Sequence, residues 1–317
     1  MIRRAAFAFA VALVALPAAA ADQGVPAPAP LAFRPQLVTS IEGDYVSGRF
    51  DTGNPNTAHQ FDTRAYNVFL GTQLGEHLLI GGRFQEAWTN ANMSLVTQNQ
   101  HVHSQSWGLR SLVTFQPVTW DTTVSAGIDN NSLSIADPFG FFPPMTAAWH
   151  GREWALDSAL RARLPVGFLV FEPLGGVRVV KLHDEGFTTS GIIPLTVPAQ
   201  SRSDTSWRAR GTISAPIRLD QFGTLTPWVA GEIRRSNNPH PPLGVLTDLT
   251  GMAGGHYIFN TAFLEGPTAF PAQTWRTASA GMRLDVSPSF VLEATGVWNF
   301  NDLGRWWGYK ANATVKF

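Results

Sequence analysis

Charged residues recur at even spacings through the middle of the chain: Glu153, Asp157, Arg161 and Arg163; Glu172 and Arg178; Arg208 and Arg210; Glu232 and Arg234. In an extended strand, even spacing puts every member of such a set on one face. Arginines gathered on one face of consecutive strands would draw in anions and select for them. The carboxylates on the same face offer the opposite chemistry. Charges taken out of bulk water are normally paired, so mutual neutralisation is the expected state and an anion-selecting wall the alternative. Other chemistry is thinly represented. His101 and His103 would share a face and offer two imidazoles to a metal, but no third ligand follows by spacing. A wall-embedded hydrolase would need Ser and His within hydrogen-bonding distance on neighbouring strands, with an orienting Asn or Asp. The chain has no G-x-S-x-G and nominates no nucleophile. No catalytic residue, metal site or cofactor is therefore expected.

What must position the charges is legible at the C-terminus. From Trp307 to Phe317 the residues alternate without error. Trp307, Tyr309, Ala311, Ala313, Val315 and Phe317 take one face; Gly308, Lys310, Asn312, Thr314 and Lys316 take the other. In water such a strand exposes an apolar edge that invites aggregation. In a closed barrel the apolar face meets lipid and the polar face lines the interior. The same alternation recurs. Trp154, Leu156, Leu160 and Leu164 oppose Glu153, Asp157, Arg161 and Arg163; Trp207, Ala209 and Ile213 oppose Arg208, Arg210 and Thr212.

Reading the period along the chain places strands at residues 37–50, 63–74, 78–88, 103–115, 119–129 and 149–164. Six more follow at 168–181, 205–217, 224–235, 274–286, 289–300 and 304–317. The connections alternate in length. Short ones fall at 75–77, 116–118, 165–167, 220–222 and 288, long ones at 51–62, 89–102, 130–148, 183–204 and 236–273; only 301–303 breaks the rule. Short periplasmic turns alternating with longer outer loops is the habit of outer-membrane barrels. The 236–273 segment is rich in Pro and Gly yet carries Leu, Val, Met and Phe, suiting either a gate folded into the mouth or a self-packed cap. The fold expected is all-β: one transmembrane antiparallel β-barrel domain of about twelve strands.

The rest of the sequence agrees. Arg3 and Arg4 precede a short apolar run and Pro17-Ala18-Ala19-Ala20-Ala21, which reads as a signal peptide over residues 1–21. Residues 22–36 form a Pro/Ala-rich periplasmic tail that favours extended geometry, and 37–317 form the barrel. No later window is a 20-residue apolar stretch, so helical spans are not expected. With 11 Trp, 21 Phe and only 15% charged residues, the chain has enough aromatics for girdles at both membrane interfaces. It has no cysteine, so disulfides and thiolate sites are excluded. Basic and acidic residues balance at 23 each, which argues against nucleic acid as a partner. The expected surroundings are outer-membrane lipid and lipopolysaccharide.

From about Trp154 onward the chain resembles the translocator domain of autotransporters. The resemblance is carried by Glu172-Pro173-Leu174-Gly175-Gly176-Val177, then Asp184-Glu185-Gly186-Phe187-Thr188-Thr189-Ser190-Gly191. Ser206-Trp207-Arg208-Ala209-Arg210-Gly211, Leu225-Thr226-Pro227-Trp228-Val229-Ala230-Gly231, Ala280-Gly281-Met282-Arg283-Leu284 and the closing Ala313-Thr314-Val315-Lys316-Phe317 continue it. It covers roughly half the chain and implies a twelve-strand outer-membrane barrel. It also implies that Phe317 acts as the signal read by the barrel-assembly machinery. That family carries a long passenger and a pore-threading linker helix. Here only residues 21–36 precede the first strand, and the expectation is a barrel without a passenger, structural or a narrow solute pore. An outer-membrane phospholipase or esterase, or an adhesin or receptor working through its outer loops, is the alternative.

Overall fold

Strands with one apolar and one polar face satisfy both faces, and all their backbone groups, only if the sheet closes on itself in lipid. The computed structural model, which describes residues 35–50, 59–75, 77–93, 98–136, 143–191, 196–236, 273–301 and 304–317, shows that closure. In chain order the wall consists of β1 (Gln36–Phe50), β2 (His59–Leu74), β3 (Leu78–Met93), β4 (Gln98–Phe115), β5 (Val118–Ile135) and β6 (Met145–Ala162). It continues through β7 (Leu169–Asp184), β8 (Gln200–Ser214), β9 (Thr224–Ser236), β10 (Gln273–Ser287), β11 (Phe290–Asn301) and β12 (Gly304–Lys316). Each strand pairs antiparallel with its sequence neighbours. The first pairs with the last, from Val38↔Lys316 to Phe50↔Gly304, and that seam removes the free edges. The unit holding the barrel runs from Arg34 to Phe317; the signal and most of the Pro/Ala tail lie outside the described residues.

Two girdles wrap the wall. Trp88, Trp107, Trp154, Trp207, Trp298 and Trp307 point outward toward the long-loop end; Phe115, Trp120, Phe168, Phe171, Phe222 and Phe317 ring the short-turn end. The turns are tight where the membrane ends. At 219–223, Gly223 has φ 91°, and a Cβ there would sit 1.9 Å from the Asp285 carbonyl oxygen, so only glycine closes this turn.

All the strands expected from the sequence are present, but several run further into the long loops. β4 and β5 begin and end at Gln98 and Ile135 rather than 103 and 129. A strand of 18 residues at about 3.3 Å per residue and about 40° of tilt rises about 45 Å, well beyond a lipid band about 25 Å tall. The extra residues, such as Asn130-Asn131-Ser132, stand clear of lipid and carry polar groups on both faces. They lose the alternation by which a strand is recognised.

Candidate functional site

The inward positions of the strands hold the charges, and the barrel brings them to a common interior. On β6 and β8, Arg208 donates through Nη2 to Asp157 Oδ1 at 2.9 Å, with less than a tenth of either side chain exposed. Arg178 on β7 stands opposite Asp157 in the register and lies 4.0 Å from Glu153. On β9, Arg234 lies 3.5 Å from Glu232 and directly opposite Arg208. Arg210 faces Glu232 across the same strand pair and sets its guanidinium 5.3 Å over the Trp228 ring, an attractive cation–π geometry.

The other side of the interior is built differently. Glu42 on β1, 2% exposed, pairs with Lys310 and accepts hydrogen bonds from Asn67 and Asn312, each at 3.2 Å. Asn67 also donates to Asp44 at 2.9 Å and accepts from Arg83 at 2.7 Å. This makes one continuous chain, Lys310–Glu42–Asn67–Arg83, across four strands. Arg110 grips Asp121 with two bonds at 3.0 and 2.6 Å. Asn67, Asn312 and Gln85 are the members that charge-spotting overlooks. Their signal was parity alone, since they share the inward face with the charges.

Two arginines expected on the cationic wall lie near its short-turn end. Arg161 keeps inward parity, but its side chain is exposed near the short-turn end. Arg163 lies past the end of β6, where its backbone N–H donates to Pro117 O at 2.8 Å. Strand β6 ends at Ala162, and the sheet resumes at Leu164–Val166, which pair with Leu169–Phe171, so Arg163 sits at the break between the two pieces near the short-turn end. Glu172 is half-buried on β7.

The inward face is not polar throughout. Near the long-loop end Val46, Phe61, Ala91, Val297 and Trp306 form a buried apolar cluster. Leu133, Trp149 and Phe187 form another. Phe187 comes from the connection between β7 and β8, which pairs Phe187–Thr188 with Thr196–Val197. Its ring stacks on Trp149 with centroids 4.2 Å apart. One long loop thus tucks onto an inward-facing tryptophan at the mouth.

His101 and His103 face outward and are satisfied locally. His101 bonds Asn90 Oδ1 at 2.6 Å, and His103 bonds Glu86 Oε1 at 2.7 Å beneath a stacked Trp88. Glu86, which outward parity hides among apolar neighbours, also accepts from Tyr66 and Gln105. Among the described residues no three metal-binding side chains converge. A Ser–His contact does exist, His183 Nδ1 to Ser201 Oγ at 2.8 Å on adjacent strands. No carboxylate or amide orients the other His183 nitrogen among the described residues, so the contact lacks the third member of a hydrolytic set. The 236–273 loop falls almost wholly outside the described residues.

A closed ring of twelve antiparallel strands, apolar and aromatic outside and charged within, defines an outer-membrane β-barrel. The chain belongs to the autotransporter β-domain family, whose pattern matches residues 42–294. The barrel is similar to the translocator domain of autotransporter NalP from Neisseria meningitidis, at TM-score 0.69 and 12% identity over 89% of this chain and 88% of that one. It is equally similar to the β-domain of the Bordetella autotransporter BrkA, at TM-score 0.69 and 12% identity over 89% and 99% of the two chains. The transport unit of AIDA-I from Escherichia coli follows at TM-score 0.51 and 10% identity, covering 89% of each. No curated protein matches the sequence.

Proposed function

We propose that this barrel is a narrow outer-membrane pore for small hydrophilic solutes, with a passage set by interior ion pairs and no catalytic step. The observation that carries the reading is the pairing of buried interior charges, Arg208 with Asp157 at 2.9 Å and Lys310 with Glu42. The interior of a small barrel is narrow enough for side chains to fill, so such pairs define the passage. Paired charges keep the interior polar without presenting one sign to solutes. Weak selectivity follows, tilted toward anions by Arg178, Arg208, Arg210 and Arg234 on three adjacent strands.

Conductance of the refolded protein in a planar bilayer tests this. The expected result is small, steady steps with a reversal potential slightly favouring anions. Replacing Arg208 and Arg210 by Gln moves the reversal toward cations. A correctly folded, heat-modifiable barrel that stays silent overturns the pore and leaves a structural role.

A further inference from the structure

The outer wall is electrically lopsided. Within the twelve strands, outward positions of the short-turn half carry no charged side chain among the described residues. Outward cations gather at the other end, just beyond the upper tryptophans. Arg276, Arg305 and Arg49 lie there on β10, β12 and β1, with Arg305 and Arg49 directly opposite each other.

One part of this belt spans β6, β7 and β8. Arg152 pairs in register with His183, and Trp154 with Lys181. Together with Glu153, Leu182, Ser201 and Ser203 these residues line a cavity of about 480 Å³. Glu185 reaches Arg152 only at 3.8 Å, with both side chains well exposed. Lys181 meets no carboxylate among the described residues. Cross-strand neighbours stand about 5 Å apart at Cβ, so a guanidinium, an ammonium and an imidazole can converge on one tetrahedral anion. Trp154 beneath them offers an apolar face where acyl chains begin.

We propose that this cavity binds the phosphorylated headgroup of an outer-leaflet glycolipid, lipopolysaccharide. Short turns mark the periplasmic side, so the cationic end faces the outer leaflet. Charge complementarity names the occupant, because the cations point sideways into the headgroup layer rather than up into solution. The assignment rests on the membrane placement of the barrel and not on conduction.

Binding of lipid A to the refolded protein in detergent, followed by native mass spectrometry and tryptophan fluorescence, tests the assignment. Bisphosphorylated lipid A is expected to bind at least tenfold more tightly than its dephosphorylated form. Each basic residue near a lipid surface contributes about fivefold, so Arg152→Gln with Lys181→Gln weakens binding about twenty-five-fold. Retained heat-modifiability shows that the variant barrel is intact. Equal binding of the two lipids, unchanged binding by the double variant, or an equal loss on Arg276→Gln with Arg305→Gln each overturns the site. Displacement of lipid A by inorganic phosphate at comparable concentration overturns the lipid as occupant. None of these readouts depends on whether the lumen conducts.

Discussion

Replacing Asp157 by Asn removes one charge from the interior and almost no volume. The structure sets the size of the effect. At 2.9 Å from Arg208, and with an effective dielectric constant of about 20, the lost attraction is about 6 kcal/mol before compensation. Asn keeps a hydrogen-bond acceptor at the same place, which returns part of it. Left behind are Arg208, Arg178 and Arg234, all nine-tenths or more buried, with Arg234 directly opposite Arg208. Removing one partner of a buried pair costs about 3 kcal/mol at the low end of the range. With a urea dependence of about 3 kcal/mol per molar, the unfolding midpoint in lipid vesicles falls by about 1 M. Adding Arg208→Gln should restore part of the loss, because the uncompensated cation goes with its partner. A midpoint shift under about 0.2 M, the value for a solvent-screened surface pair, would refute the reasoning. It would mean that water fills the lumen around these charges and that the pairs do not set the passage.

Two further outcomes follow from the geometry. Phe187→Ala removes the stack on Trp149, whose centroids lie 4.2 Å apart. Protease cleavage between residues 185 and 200 is then expected to rise by about tenfold, with little change in global unfolding, since loops open locally. Unchanged cleavage would show that the ring does not hold the loop. Gly48→Ala places a Cβ 2.3 Å from Trp306 Cβ and 2.6 Å from the Arg305 carbonyl oxygen, at the β1–β12 seam. Overpacking of this kind costs about 1–3 kcal/mol, read as a lower temperature for loss of heat-modifiable mobility; an unchanged temperature would show that the seam yields freely.

The sequence by itself determined the fold. Alternation fixed which face of each strand meets lipid, because in hydrocarbon an outward polar group has no partner. The short turns at 75–77, 116–118 and 288 were found almost to the residue, since the lipid boundary lies close beside them and composition changes there abruptly. The far ends of β4 and β5 were underestimated because both faces are wet where the strands leave the membrane, and wet faces do not alternate. Parity also placed Glu42, Asp157, Arg208 and Lys310 inside. It could not say which charge meets which, because a pair such as Arg208–Asp157 joins residues 51 apart in sequence through the register of neighbouring strands. Closure of the ring brings Lys310 to Glu42, and the assembled wall sets Phe187 on Trp149 and gathers Arg152, Lys181 and His183 on one cavity. These depend on register and barrel radius, which are properties of the assembled sheet rather than of any one strand.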